Sequence, residues 1–157
     1  MRVAVFNDTR NKPNVGVYSF GRLPGAETGG PAAQFEFDVS AFRDPAGQKQ
    51  FIGLYGIAPG VRDWVCEDRR MPAILDQCLM LAEDLIRPHK KGESTEQLSH
   101  WLSISFRDHH GRWIAPAIAE AVANKLSDAG FIVVAIHNDI PKTELMKYQN
   151  AEVVCEA

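Results

Sequence analysis

The sequence predicts one α/β domain with a mostly parallel sheet and flanking helices. The chain has 157 residues, which is enough for one hydrophobic core and short for two domains. Hydrophobic residues make up 45% and charged residues 24%, values typical of a globular protein. The clearest local signal is a strand, a helix and a strand in succession, at residues 101–106, 115–129 and 131–137. This order predicts a βαβ unit with parallel strands and a right-handed crossover.

The first forty residues contain three strand-like segments. Residues 1–7 and 15–20 are mostly apolar, and residues 35–39 alternate apolar and polar side chains, as a strand with one buried face does. The glycines and prolines of residues 21–31 predict a loop. Residues 40–60 lack clear periodicity, and long irregular connections of this kind are often functional.

Two helices are predicted between this irregular connection and the βαβ unit. A short helix at residues 61–66 is followed by a longer one at residues 71–86. In the longer helix, apolar residues recur at helical spacing from Ile74 to Ile86, which defines one buried face. Pro72 suits the first helical turn, where a missing N–H costs no hydrogen bond.

The βαβ unit carries its own start and stop signals. Pro116 suits the beginning of the alanine-rich helix, and Gly130 suits the position just after its end. The near-continuous apolar run at residues 131–137 is typical of a strand that is buried on both faces. Residues 141–157 are expected to form a further short element, with an edge strand at residues 151–155.

The charge and the cysteine content limit the classes of partner. The formal net charge of −3 argues against nucleic-acid binding by the surface as a whole. Nucleic acid could then bind only at a local basic patch. The charged residues within positions 1–20 exclude the apolar core of a signal peptide, and no apolar run approaches the ~20 residues of a membrane span. We therefore expect a cytoplasmic protein without a membrane partner. Its three cysteines form no CxxC pair and are expected to be reduced thiols: Cys66, Cys78 and Cys155.

A ligand site is predicted where the two strands of the βαβ unit end. Parallel strands end at the same edge of a sheet, and ligands of open α/β sheets bind at that edge. The unpaired N–H groups at the start of the following helix, together with its dipole, favour an anion there. Gly111 would let the backbone approach a ligand, and Arg107 or Arg112 could add a bidentate contact. The residues placed at this edge are Arg107, Asp108, His109, His110, Gly111, Arg112, Trp113, His137, Asn138 and Asp139.

Several short motifs lie in order between about residues 15 and 140. They are Ser19-Phe20-Gly21, Phe37-Asp38-Val39, the run from Gly56 to Val65, the strand from Leu102 to Phe106, Ile118-Ala119-Glu120 and His137-Asn138-Asp139-Ile140. In their order and spacing these motifs resemble the RapZ C-terminal domain family.

The resemblance implies an α/β fold with a phosphate-cradling loop after the long strand. It further implies that the loop takes a phosphorylated amino sugar, and that the domain participates in RNA binding and self-association. On this basis we expect a non-catalytic module that binds a small anionic ligand, such as a sugar phosphate or a nucleotide, or an RNA or protein partner. This hypothesis also allows the domain to form homo-oligomers. The resemblance adds Ser19, Gly21 and Asp38 to the expected ligand-binding residues.

The loop departs from the family pattern, which is G-C-T-G-G-x-H-R-S. Only Gly111 and a basic residue, Arg112, are kept, and Asp108 stands where the family has its cysteine. Because a carboxylate repels a phosphate, phosphate binding here would need a proton or a cation. The loop has no thiolate, which excludes cysteine-phosphatase chemistry. The other changed positions are Trp113, Ile114 and Ala115, in place of histidine, arginine and serine.

Two alternatives stay open beside the binding module, which needs no cofactor. One is a metal-assisted hydrolase or phosphoesterase that holds a divalent metal on Asp108, His109, His137 and Asp139, which are suitable ligand types for zinc, manganese or iron. The other is an assembly domain that uses the loop as an interface, with Trp113 as the anchoring aromatic side chain.

Overall fold

The computed structural model describes residues 2–6, 13–22, 33–88, 90–92, 101–148 and 153–156, the first and last of these as backbone only. The described part of the chain contains six strands and four α-helices. The strands are β1 (Arg2–Phe6), β2 (Val15–Gly21), β3 (Phe35–Asp38), β4 (Leu102–Asp108), β5 (Val133–His137) and β6 (Val153–Glu156). The helices are α1 (Pro59–Cys66), α2 (Met71–Leu85), α3 (Ile114–Asp128) and α4 (Lys142–Tyr148), with short 3-10 turns at Pro45–Gly47 and Lys49–Phe51.

The strands form one sheet in the order β3-β4-β2-β5-β1-β6. The first four strands of this order run parallel to one another. β1 pairs antiparallel with both β5 and β6. The mostly parallel sheet and the α/β class are therefore confirmed, and the strand expected near the end of the chain is present at the sheet edge.

The βαβ unit is confirmed with one rearrangement. β4 and β5 run in the same direction, but β2 lies between them, so that Ser19 is the register partner of both Phe106 and His137. The expectation that residues 107 and 137 would face each other directly is corrected: the end of β2 separates them. β4 also continues to Asp108 rather than ending at residue 106, because Arg107 and Asp108 pair with the last residues of β2.

The main apolar cluster joins α1, α2 and α3 to the sheet. The buried face of α3 packs on β2, β4 and β5, and α1 and α2 pack against α3. Ile118, Val122 and Leu126 of α3 are fully buried, and burial of each such side chain contributes roughly 1.5–3 kcal/mol. The predicted terminal signals are in place, since Pro72 lies in the first turn of α2 and Gly130 follows α3 with a φ of 95°.

Other expectations fall in part outside this description. Most of the predicted loop at residues 21–31 lies outside the described residues. No helix in the described ranges has both the length and the apolar character that a membrane span requires.

Candidate functional site

The carboxyl ends of β2, β4 and β5 meet at one edge of the sheet, beside the first turn of α3. Backbone hydrogen bonds hold these ends together: Arg22 N–H donates to the carbonyl of Asp108 at 3.2 Å, and Asn138 N–H donates to the carbonyl of Ser19 at 3.0 Å. The segment 109–113 crosses this edge between β4 and α3. The location predicted for the site is therefore a real junction of strand ends, loop and helix.

The carboxylate of Asp108 fills the anion cradle of this junction. Its Oδ1 accepts the backbone N–H groups of His110, at 3.0 Å, and of Gly111. Its Oδ2 accepts the N–H of Ala115, in the first turn of α3, at 2.9 Å. Asp108 is 3% exposed, so these bonds are shielded from water, and the helix dipole adds a favourable field. The N–H groups expected to face a ligand are thus satisfied by the chain's own side chain.

The loop packs directly on the end of β2. Gly111 has a φ of 70°, and a Cβ atom there would lie 2.3 Å from Asp139 Oδ2 and 2.4 Å from the backbone nitrogen of Gly21. Gly21 in turn donates its N–H to Asp139 Oδ2 at 2.8 Å. A Cβ atom on Gly21 would lie 2.4 Å from the carbonyl carbon of His110. Glycine is therefore required on both sides of this contact, which leaves no space for a ligand between them.

A series of three hydrogen-bonded polar side chains, buried at Ser19 and His137 and partly buried at Glu120, lies next to the cradle. Ser19 Oγ and His137 Nδ1 are 2.7 Å apart, and His137 Nε2 and Glu120 Oε1 are also 2.7 Å apart. The imidazole can satisfy both bonds, with Nε2–H donating to the carboxylate and the Ser19 hydroxyl serving as donor or acceptor at Nδ1 according to the tautomer. Because Ser19 is 0% exposed, it cannot act as a nucleophile on an external substrate, and the bonds instead join β2, β5 and α3.

Of these three hydrogen-bonded residues, Glu120 is the one that the sequence analysis did not predict as a site residue. Burial raises the pKa of its carboxyl, but the hydrogen bond from His137 and the nearby positive charges of His137 and Arg62 outweigh burial and lower it. The available signal was a lone carboxylate within the otherwise apolar first half of α3. That pattern indicates a buried charge in need of a partner.

The exposed rim of the loop carries nitrogen-bearing side chains. His109, His110 and Arg112 are exposed, whereas Trp113 is partly buried. The ring of His110 meets the edge of the Trp113 ring with centroids 5.4 Å apart. Trp113 Nε1–H donates to the carbonyl of Leu54 at 3.0 Å, so the indole is tied to the irregular segment that precedes α1.

That irregular segment supports the rim from below. Gly56 N–H donates to the carbonyl of Arg112 at 2.9 Å. A Cβ atom at Gly56 would lie 1.9 Å from the carbonyl oxygen of Trp113, so only glycine fits this close backbone approach. Residues 40–60 therefore include a structural support for the loop.

Asp38 and Arg107 are not brought to the cradle. They are register partners on β3 and β4, and Arg107 pairs with Glu36 at 3.1 Å and with Asp38 at 3.6 Å. Arg22 approaches Asp38 at 3.3 Å. Hydrogen bonding by Ser40, followed by the charges of Arg22 and Arg107, lowers the pKa of Asp38. Because side chains alternate along a strand, Arg107 faces the side of the sheet opposite to Asp108.

Three of the four donors of the metal alternative are engaged in other hydrogen bonds, and the fourth, His109, is exposed on the rim. Asp108 binds backbone N–H groups, both ring nitrogens of His137 are hydrogen-bonded, and Asp139 accepts from Gly21. Within the described ranges, no three histidine, cysteine, aspartate or glutamate side chains are grouped as metal ligands. Asn138, the remaining strand-end residue, has a buried Oδ1 without a hydrogen-bond partner in the described part of the chain.

Comparison with known proteins agrees with the motifs. The family model of the RapZ C-terminal domain matches residues 13–141, from two residues before β2 to the residue before α4. No curated protein matches the chain. Since the match covers well over half of the sequence, the chain belongs to the RapZ C-terminal domain family.

Proposed function

We propose that this chain is a non-catalytic binding domain that recognises a phosphate-like anion on the outer rim of the loop 109–113. In this proposal the inner cradle stays closed to ligands, because the carboxylate of Asp108 already occupies its N–H groups. That occupancy moves the expected anion to the rim, and the exposed guanidinium of Arg112 is the observation that carries the proposal. An incoming anion would otherwise have to displace a buried carboxylate from hydrogen bonds that are shielded from water.

The burial of the polar side chains of the strand ends favours binding over turnover at this junction. The hydroxyl of Ser19 is buried, and the imidazole of His137 has both nitrogens engaged. A general base must reach a proton of the substrate within hydrogen-bond distance, and neither group is placed to do so. The carboxylate of Asp108 is likewise committed to the backbone.

The rim offers the chemistry that an anion requires. Among the described residues, the guanidinium of Arg112 forms no ion pair, and His109 beside it is exposed. The backbone around Arg112 is held by the hydrogen bond from Gly56, which limits the entropy lost on binding. An exposed guanidinium on a fixed backbone suits the bidentate contact that phosphate groups prefer.

A titration of the full chain tests this function. Inorganic phosphate, a hexosamine 6-phosphate and a short single-stranded RNA are each added while backbone amide signals are followed by NMR. We expect shifts at residues 109–112, with affinity reduced about tenfold by Arg112→Gln, the loss of one charge-assisted contact. Lys125→Gln is the control, because Lys125 is also exposed but lies at the opposite end of α3.

The three ligands distinguish the sources of the anion. Binding of the sugar phosphate above inorganic phosphate indicates a small-molecule site, and selective binding of the RNA indicates a nucleic-acid site. If none of the three shifts the rim signals, or if Arg112→Gln and Lys125→Gln behave alike, the proposed function is wrong.

A further inference from the structure

A groove separate from the loop runs between β3 and α2. Its volume is about 380 Å³. Phe35 and Phe37 form one wall, and Met80 and Leu81 form the other. Met80 is 59% exposed, so its side chain is accessible to a partner at the groove. The remaining lining residues are polar or acidic: Glu36, Gln77 and Asp84.

β3 is an edge strand beside this groove. It pairs with β4 on one side, from Phe35 opposite Ile104 to Asp38 opposite Arg107, and no described strand pairs with its other side. The outward backbone N–H and C=O groups of such a strand can pair with an added extended segment. Phe37 stacks on Phe106 with centroids 5.5 Å apart, which fixes the side of β3 that faces the groove.

The charge around the groove selects the partner. α2 contains three carboxylates and no basic residue within its span: Asp76, Glu83 and Asp84. On β3, Glu36 and Asp38 are shared with Arg107 and Arg22, and the side chain of Glu36 remains 43% exposed. Among the described residues that line the groove, two carry carboxylates, Glu36 and Asp84, and none is basic, which favours a basic partner.

A second copy of the chain fits this edge poorly. Antiparallel pairing of two β3 strands would place the carboxylates of one copy against those of the other, and like charges opposite each other in a sheet are destabilising. The acidic faces of the two α2 helices would also approach one another. Charge complementarity thus points away from self-association at this edge.

We propose that β3 accepts an extended segment of a partner protein in which apolar residues alternate with lysine or arginine. The segment pairs with the outer side of β3, and its apolar side chains fill the groove against Met80 and Leu81. Because side chains alternate along a strand, its alternate basic side chains lie on the opposite face of the sheet, beside the exposed part of Glu36, and a basic residue at the end of the segment reaches Asp84 at the groove. This surface involves none of the rim residues, so a test of the peptide site is independent of a test of the anion site.

A synthetic nine-residue peptide of alternating lysine and valine, capped at both ends, is a direct probe. NMR titration of the full chain is expected to shift the amide signals of β3 and of residues 77–84. The same peptide with N-methylated backbone amides on its pairing side should bind at least tenfold more weakly, because it cannot complete the ladder. A peptide of alternating glutamate and valine should not bind.

Matched substitutions locate the contact. Asp84→Lys should weaken binding about threefold to tenfold, the range of an exposed ion pair and its reversal. Asp128→Lys is the control, since Asp84 and Asp128 both lie exposed in the last turn of a helix. Met80→Ser should also weaken binding, whereas Met146→Ser, at the same 59% exposure on α4, should not.

Several outcomes overturn this inference. Equal binding of the N-methylated peptide excludes strand addition, and shifts centred away from β3 indicate attraction to the acidic surface in general. A dimer that forms through β3 and excludes the peptide would make a second copy the occupant. Equal effects of Asp84→Lys and Asp128→Lys would also remove the proposed contact.

Discussion

Replacing Asp108 with alanine should lower the free energy of unfolding by about 3–4 kcal/mol. The substitution leaves three N–H donors without their acceptor, at His110, Gly111 and Ala115, in a place where Asp108 is only 3% exposed. A buried donor without an acceptor costs about 1–3 kcal/mol. Because water that enters the emptied space recovers part of this cost, we take about 1 kcal/mol for each donor, which gives the lower end of the expected loss.

Asparagine at position 108 separates charge from shape. Its amide oxygen can still accept from His110 and Gly111, but its NH₂ group would face the N–H of Ala115, and the negative charge at the helix start is lost. We expect a loss of about 2 kcal/mol for Asp108→Asn. Asp128→Ala, at the exposed opposite end of α3, should change stability by no more than about 0.5 kcal/mol.

Equilibrium unfolding in urea, followed by tryptophan fluorescence, measures all three variants at a common m-value. A loss below about 1 kcal/mol for Asp108→Ala would refute the role assigned to the carboxylate. Phosphate provides a second readout, because the emptied cradle can accept an external anion. At 10 mM phosphate and a Kd of ~1 mM, phosphate bound in the emptied cradle should raise the free energy of unfolding of Asp108→Ala by about 1.4 kcal/mol. The wild-type cradle, which Asp108 fills, should give no such increase.

Three further predictions concern the supports of the site. Ser19→Ala removes the buried hydroxyl that is hydrogen-bonded to His137 Nδ1 and should cost about 1–3 kcal/mol in thermal or urea unfolding; an unchanged stability would contradict the bond. Because the pKa of Glu120 is lowered in the fold, its contribution is present above the ordinary value of 4.5 and is lost as pH falls through the lower folded value. The stability difference between wild type and Glu120→Gln should therefore shrink below pH 4.5, and a difference independent of pH would exclude this linkage. Gly56→Ala places a methyl group 1.9 Å from the carbonyl oxygen of Trp113 and should cost at least about 2 kcal/mol and alter tryptophan fluorescence, unlike Gly47→Ala, where the added atom meets nothing within 4 Å.

The order of elements was accessible from the sequence because it depends on local patterns. Apolar spacing and a terminal proline place α2, and a positive-φ glycine after an alanine-rich run places the end of α3. The position of β2 between β4 and β5 was not accessible in this way. It depends on hydrogen bonds between residues that lie about ninety to one hundred and twenty positions apart, as in the pairing of Ser19 with Phe106 and His137.

For the candidate site, too, local patterns predicted the location but not the contacts between distant residues. The family motifs and the rule that ligands collect at strand ends led to the loop after β4, which lies where three strand ends meet the first turn of α3. That a ligand binds there stays a prediction. Sequence reasoning treated Asp108 as a group that faces a ligand, and it gave Glu120 no role. Whether a carboxylate points outward or back into its own loop is decided by the backbone path after β4, which the packing of Gly111 against Gly21 imposes.

By itself, the amino-acid sequence determined the α/β class, the limits of its helices and strands to within a few residues, and the edge of the sheet at which polar residues gather. Only the tertiary structure decided that Asp108 closes the cradle and that Ser19, His137 and Glu120 form one series of hydrogen bonds. The physical reason is that secondary structure follows from periodic side-chain preferences within a segment. The partner of a buried polar group follows instead from strand order and helix packing, which bring distant segments into contact.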